Sequence, residues 1–182
     1  MSKKRVSKAD WIQAAIDILE TEGIAGVRVE VLAKRLHISK SGFYWHFKDR
    51  EELFAAMLEY WAHEITEVLA TNTEVAELPP VDRLTRIAET IVDFDLARYE
   101  AAVAQWALSD ENAARMARKV TRMRLGFVRK AFEELGFSGD DLETRALLYT
   151  NYVTWEGPMF RDMPRKRRRG LIAKQVELLT RK

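Results

Sequence analysis

The segment from Ile38 to Arg50 carries the side chains best suited to binding a polyanion. It reads Ile-Ser-Lys-Ser-Gly-Phe-Tyr-Trp-His-Phe-Lys-Asp-Arg and follows an amphipathic stretch at the spacing of a helix-turn-helix. Phe43 and Phe47 have the spacing of a buried helical face, which leaves the polar and aromatic residues between them for the surface. A short, polar and aromatic helix of this kind is typical of a recognition helix in a DNA major groove.

The exposed positions of this segment suit contacts with DNA. Lys40 is the best candidate for a base edge, because an ammonium group can donate to guanine O6 and N7. The missing side chain of Gly42 would let the helix approach closely, and the Tyr44 hydroxyl and the His46 ring could reach phosphates. The predicted DNA-binding residues here are Ser39, Lys40, Ser41, Gly42, Tyr44, Trp45, His46, Lys48 and Arg50. The alternative is an ordinary helix corner with solvated charges.

Helical elements with recognisable caps must position this segment. Ser7 and Asp10 predict a capping box for a first helix that ends at Gly23, and a second helix is expected over 29–36. Ser39 is expected to cap the third helix, which should end near Phe47. The pair Asp49 and Glu52 predicts a cap for a long fourth helix through Leu53, Phe54, Met57, Leu58, Trp61, Ile65 and Leu69.

Helical periodicity continues to the end of the chain. Further helices are expected over 82–99, 101–108, 110–135 and 142–160, and a last one opens at Pro164. No stretch alternates apolar and polar residues over enough positions to predict a sheet. The sequence therefore predicts an all-α protein of about nine helices, with a helix-turn-helix domain over residues 1–50 (the head) and a second helical domain over residues 51–182 (the body).

Charge and composition exclude several classes of function. Residues 1–50 contain ten Lys or Arg and six Asp or Glu, whereas the other 132 residues contain 20 Lys or Arg and 22 Asp or Glu. This distribution is expected for a basic head that binds a polyanion and a slightly acidic body with a different function. The chain has no cysteine, and its histidines, His37, His46 and His63, show no metal-ligand spacing. With no phosphate-binding glycine loop and no nucleophile elbow, we expect neither an enzyme nor a bound cofactor or metal. Without a secretory signal or a membrane span, a cytoplasmic protein is expected.

The run from Val29 to Leu53 resembles the DNA-binding signature of the tetracycline-repressor (TetR) family of transcriptional regulators. The resemblance covers about residues 8–55, and its most specific part is Phe-Tyr-Trp-His-Phe-Lys-Asp-Arg, which begins at Phe43. It implies a homodimer that places two third helices in successive major grooves of a palindromic operator. It also implies that Tyr44 and Arg50 contact phosphate. The family mechanism would be repression that is relieved when a small molecule binds the body.

Two positions depart from the family pattern. The family commonly has Thr or Ser at the start of the second helix, where the residue caps the helix and touches phosphate. Here the position is Arg28, which cannot cap but could reach a phosphate directly. The usual turn glycine is His37, a residue type that tolerates positive φ with some strain. Arg28 therefore joins the predicted DNA-binding residues.

The body contains many aromatic and methionine residues, which predict a core and allow a pocket. The ligand-binding candidates are Phe94, Asp95, Tyr99, Trp106, Met123, Phe127, Tyr152 and Glu156. Asp95 and Glu156 lie on otherwise apolar stripes, and a carboxylate there must be paired, protonated or reserved for a ligand. A salt bridge to Arg98 or Arg124 is the simpler expectation; a ligand would be a cationic or hydrogen-bond-donating aromatic molecule. A regulator without a ligand, or one controlled by a protein partner, is the alternative function.

The last two helices are the expected dimer interface, because they pair with their symmetry mates in the family. The candidate interface residues are Leu147, Leu148, Trp155, Leu171, Val176 and Leu179. The basic run from Arg165 to Arg169 opens the last helix, where positive charge opposes the helix dipole. We interpret this run as a solvated turn or a clamp on acidic residues of the partner, rather than as a second nucleic-acid site.

Overall fold

The computed structural model describes residues 6–63 and 73–182, except for the side chains of residues 73 and 74. In these ranges the chain forms only helices: α1 Lys8–Glu22, α2 Val29–Arg35, α3 Ser41–Tyr44, α4 Arg50–Ala62, α5 Thr73–Ala76, α6 Pro80–Asp93, α7 Glu100–Ala107, α8 Glu111–Glu134, α9 Gly139–Met159 and α10 Arg165–Thr180. Two 3₁₀ turns lie at Ile24–Gly26 and Leu96–Tyr99. The all-α prediction is confirmed, and the single turn α5 adds to the expected helices. The predicted extension of the fourth helix through Ile65 and Leu69 lies outside the described residues.

The first helix begins as the sequence predicts. The Ser7 hydroxyl accepts a hydrogen bond from the Asp10 amide at 3.2 Å, and the Asp10 carboxylate accepts one from the Ser7 amide at 2.7 Å. This capping box satisfies amides that the start of a helix leaves unpaired. The helix ends at Gly23, whose φ of 71° costs glycine no steric strain.

The turn between α2 and α3 has the backbone that the sequence implied. His37 adopts a φ of 55°, and the amide of Ile38 donates to the carbonyl of Ala33 at 3.0 Å to close α2. Histidine is one of the few non-glycine residues that tolerate this conformation. The turn therefore forms without glycine.

The third helix is shorter than predicted. Its α-helical part is Ser41–Tyr44, and the chain continues in turns to Phe47, whose amide donates to the Phe43 carbonyl at 3.0 Å. The prediction that Ser39 caps this helix is wrong. The Ser39 hydroxyl makes no capping bond and lies instead 2.7 Å from the hydroxyl of Ser41.

The predicted helix over 82–99 ends at Asp93. Phe94 lies at the C-terminal cap with 72% of its surface exposed, and Asp95 follows in the left-handed region with a φ of 50°. The next residues form the 3₁₀ turn, so the chain changes direction before Tyr99. The prediction that Asp95 lies on an apolar helical stripe is wrong for this reason.

Two hydrophobic clusters hold the helices together. The first cluster contains residues of α1–α4, of the second 3₁₀ turn, of α7 and of the first half of α8. The head and the body therefore share one continuous core. The second joins α6, the second half of α8, α9 and α10. Within the ranges described above, none of the helices is long and apolar enough to cross a membrane.

Candidate functional site

The predicted DNA-binding residues form one exposed surface around α3. Trp45 and Tyr44 have 80% and 65% of their surfaces exposed, a high fraction for large aromatic side chains. The other exposed members are Arg28, Ser39, Lys40, Ser41, Lys48 and Arg50, and Gly42 and His46 are half-buried. This surface is rich in hydrogen-bond donors, and its two large aromatic side chains are not part of the core.

Two buried phenylalanines hold α3 in place. The Phe43 ring packs edge-on against Trp11 at 5.4 Å and is stacked with Phe47 at 5.2 Å. A Cβ atom at Gly42 would lie 3.2 Å from Cδ1 of Ile38 and 3.8 Å from Cζ2 of Trp11. Glycine therefore lets α3 pack closely on the head, which is a different reason from the close approach to DNA that we expected.

Lys40 already has an acidic partner within the head. Its Nζ lies 2.6 Å from Oε1 of Glu30 in the first turn of α2, and both side chains are more than half exposed. The hydrogen bond from Lys40 lowers the pKa of the Glu30 carboxyl. Because an exposed ion pair contributes little to stability, Lys40 can exchange this partner for another acceptor at small cost. The family signature gave no reason to single out Glu30.

Arg50 and His46 are committed to contacts within the head. The Arg50 guanidinium donates through Nε to the Val27 carbonyl at 3.1 Å and through Nη2 to the Ile24 carbonyl at 3.2 Å. Nε2 of His46 lies 3.1 Å from the carbonyl of Val6. Three of the five N–H groups of Arg50 are left for a phosphate, so a DNA contact by Arg50 stays a prediction.

The start of α4 is capped as predicted. The Asp49 carboxylate accepts from the Glu52 amide at 2.9 Å, and Glu52 accepts from the Lys48 amide at 2.7 Å. Glu52 also accepts from Nζ of Lys8 at 3.0 Å, a contact that sequence reasoning missed because the two residues are far apart in sequence. The Lys48 side chain itself stays exposed.

Glu156, one of the two carboxylates that we expected to be paired, has a different partner from those predicted. Glu156 has 1% of its surface exposed, and Nε and Nη2 of Arg168 both donate to its carboxylate. Arg124 instead donates to Glu100 at 2.9 Å, and Arg98 lies 4.4 Å from the centre of the Tyr99 ring. The carboxylate of Glu156, a ligand-binding candidate, is therefore occupied by Arg168.

The remaining ligand-binding candidates do not converge on one site. Phe94 and Met123 are exposed, whereas Phe127 and Tyr152 pack beside the second cluster. Burial and then the Glu156 carboxylate raise the pKa of the Tyr152 hydroxyl.

Tyr99 and Trp106 belong to the first cluster, where the head meets the body. The Tyr99 hydroxyl accepts from Gln13 of α1 at 3.3 Å, and the Trp106 ring packs edge-on against Phe54 at 5.2 Å. These two residues and the other candidates therefore lie in different parts of the structure, and their role in ligand binding stays a prediction.

Two pockets lie beside α8. The larger, about 580 Å³, is an open cleft between α4 and α8 over Phe54, Leu58, Trp106 and Met116. The smaller, about 160 Å³, lies among α4, α7, α8 and α9. None of the eight predicted ligand residues lines the smaller pocket.

The predicted interface residues are only partly on the surface. Leu147, Leu148 and Trp155 are exposed on α9, and Leu171 and Leu179 are half-buried on α10. Val176 is buried in the second cluster of its own chain, so its assignment to an exposed interface is wrong. Helical periodicity could not distinguish the two faces of α10, and the exposed residues that it missed are Met159 on α9 and Leu178 on α10.

The basic run at the start of α10 is divided between two environments. Arg168 is buried against Glu156, and Arg169 pairs with Glu89 at 3.0 Å and Asp93 at 3.4 Å on α6. The run is thus partly a clamp on acidic residues, as we expected, but on residues of the same chain. Residues 165–167 are exposed.

The N-terminal part of the chain, which includes α3, is similar to known proteins. Residues 12–57 match the family of bacterial regulatory proteins called the tetR family. Tetracycline repressor protein class A from transposon 1721 of Escherichia coli is 38% identical over 48 residues, which span 26% of this chain and 22% of that repressor.

Solved structures resemble the chain over nearly its whole length. A transcriptional regulator from Rhodococcus sp. Rha1 has a TM-score of 0.76 at 21% identity, with 96% of each chain covered. A bacterial regulatory protein in the tetR family from Rhodococcus RHA1 has a TM-score of 0.75 at 21% identity, with 98% of this chain and 96% of that one covered. A transcriptional regulator from Aquifex aeolicus VF5 has a TM-score of 0.69 at 18% identity, with 94% and 98% covered. At these identities the likeness shows the fold alone.

Proposed function

Since residues 12–57 match the tetR family of bacterial regulatory proteins, we propose that the chain is a transcriptional repressor that binds a palindromic operator as a homodimer. The observation that carries this proposal is the exposed surface of α3, with Lys40, Tyr44 and Trp45 outward and Phe43 and Phe47 buried. Such a helix presents donors and aromatic groups to a major groove while its other face holds it rigidly.

The side chains of this surface suit different contacts with DNA. Lys40, which can leave Glu30 at small cost, reads a base edge in this proposal, and the Tyr44 hydroxyl and Lys48 hold phosphates. Arg28, at the start of α2 with no capping bond, is free to reach a phosphate as well.

The exposed apolar surface of α9 and α10 supports the homodimer. Leu147, Leu148, Trp155, Met159 and Leu178 are all exposed. Leu148, Trp155 and Met159 have the spacing of one face of α9, and exposed apolar residues grouped in this way often mark an interface. To bind successive major grooves, a two-fold dimer must hold its two α3 helices about 34–36 Å apart, one turn of DNA.

Selection of bound duplexes from random DNA tests the proposal. We expect an enriched inverted repeat with half-site centres about 10 base pairs or a multiple apart. Lys40→Ala should relax the preference at one position of each half-site and cost about 1–3 kcal/mol of binding free energy. Lys166→Ala, a change of another exposed lysine on α10, is the matched control and should bind as the unchanged protein does. A folded dimer that enriches no sequence would refute the proposal.

Release of the operator by a small molecule in the body is the second part of the proposal. The pockets beside α8 support it, because both have walls on α4, the helix that follows the head. A screen for compounds that lower the affinity for the selected operator tests this part. If no compound does so, the regulator acts without a ligand or through a protein partner.

A further inference from the structure

The smaller pocket has the features of a binding site for an uncharged, hydroxylated single-ring molecule. Its volume is about 160 Å³, and its walls include Trp61 of α4, Glu100 of α7, Arg124 of α8 and Thr150 and Trp155 of α9. We propose that a molecule of this class, such as a phenol, is the effector and binds here. The inference rests on the proposed function and adds the site and the class of ligand.

The charges of the pocket favour an uncharged ligand. Arg124 and Glu100 form an ion pair at 2.9 Å, with 15% and 7% of their side chains exposed. Nε1 of Trp61 also donates to this carboxylate, at 3.2 Å. Because the two charges neutralise each other away from solvent, a charged ligand would bring a charge with no compensating partner.

Two polar atoms at the wall have unused hydrogen-bonding capacity. Nε of Arg124 and Oγ1 of Thr150 are buried and have no hydrogen-bond partner among the described residues, and Thr150 as a whole is more than nine-tenths buried. The first can only donate, whereas the second can donate and accept. Both residues line the pocket, and a ligand hydroxyl has the acceptor and the donor that these two side chains lack.

The size and the aromatic walls favour a single ring. A cavity of about 150 Å³ is enough to hold benzene. Trp61 and Trp155 present indole rings, and Val103 and Ala117 add apolar surface. One six-membered ring is therefore the size of molecule that we expect in this space.

The position of the pocket connects a ligand to DNA binding. Trp61 lies in the last turn of α4, the helix whose first residue, Arg50, is bonded to the head. A ring that enters beside Trp61 contacts the end of α4 that faces the body. Binding here can therefore shift the helix that leads to the recognition surface.

Calorimetric titration of the full-length dimer with phenol, benzoate and benzylammonium tests the inference. These three probes share one ring and differ in charge. We expect phenol to bind at least about tenfold more tightly than either charged ring, and Thr150→Val to weaken phenol about fivefold through the loss of one hydrogen bond. Thr90→Val is the control, because its hydroxyl is on α6 and is already bonded to the Arg86 carbonyl at 2.8 Å.

A second variant keeps the test independent of Thr150. Ala104→Leu places a larger side chain in the pocket wall and should abolish phenol binding while operator binding is retained. Equal affinity for phenol and benzoate, or unchanged phenol binding in both pocket variants, would overturn the inference. A dimer that binds its operator but none of the three rings overturns the inference alone. A folded protein that binds no operator overturns the proposed function, whatever it does with phenol.

Discussion

Replacement of Glu156 by glutamine tests the buried ion pair that joins α9 to α10. Glu156 has 1% of its surface exposed and the Arg168 side chain 10%, so the change leaves a guanidinium charge in the core without its partner. Loss of one member of such a pair costs about 3–5 kcal/mol of unfolding free energy. Hydrogen bonding to Glu156 is the main cause that raises the pKa of Arg168, and the Asp95 carboxylate adds to it. Because Asp95 still compensates part of the charge, we expect about 3 kcal/mol, the lower end of this range.

Thermal and urea unfolding measure this cost. For a chain of this length, about 3 kcal/mol lowers the Tm by about 6–12 °C. Glu177→Gln is the matched control, since its partner Lys174 lies at 2.8 Å but both side chains are about 60% exposed. The control should change the unfolding free energy by less than about 0.5 kcal/mol. Addition of Arg168→Met to Glu156→Gln should recover part of the loss. If Glu156→Gln and Glu177→Gln changed the unfolding free energy equally, burial of the Glu156–Arg168 pair would not determine its contribution to stability.

Three further predictions concern DNA binding, the dimer and the core. Lys48→Ala should weaken binding to all DNA sequences alike and should reduce the slope of log affinity against log salt by about one per phosphate contact. A loss of affinity that depends on the identity of one base pair would argue against a phosphate contact. Leu148→Asp places a charge on the exposed face of α9 and should yield monomers that do not bind the operator; a stable dimer by light scattering would remove this face from the interface. Tyr149→Phe should cost about 1 kcal/mol in urea unfolding, because the buried hydroxyl donates to the Leu84 carbonyl at 2.6 Å. Burial raises the pKa of Tyr149 above its usual 10.0, so the folded chain keeps a proton that the unfolded chain releases. The contribution of Tyr149 to the unfolding free energy should be fully present below about pH 10 and should decrease above it. The unfolding free energy of the Phe variant should decrease less steeply with pH in this range.

The features that the sequence predicted well are local. The caps at Ser7 and Asp49 form between residues three apart, and the turn at His37 depends on the backbone preference of one residue. The exposed and buried positions around α3 likewise follow from the spacing of Phe43 and Phe47. Such features depend on neighbours in sequence, so a sequence pattern is enough to predict them.

The features that the sequence did not predict depend on how distant elements pack. Glu156 pairs with Arg168 across the turn between two helices, and no periodicity selects that arginine over Arg98 or Arg124. Val176 and Leu178 are two apolar residues of one helix, but only the arrangement of α6 and α9 decides that the first is buried and the second exposed. The pocket residue Thr150 has no sequence signal, because a threonine on an apolar stripe looks like any other core residue.

The two bonds from Arg50 to the backbone of the head fix the angle at which α4 leaves it. These bonds join the start of α4 to the head, while Phe54 and Trp61 of the same helix contact Trp106 and Glu100 of the body. The helix has 13 residues and is about 20 Å long. A tilt of about 10° displaces one end relative to the other by about 3 Å. In the proposed two-fold dimer, this tilt would change the distance between the two heads by about 6 Å. Because the major groove is about 12 Å wide, a change of that size would be enough to prevent both recognition helices from entering successive grooves.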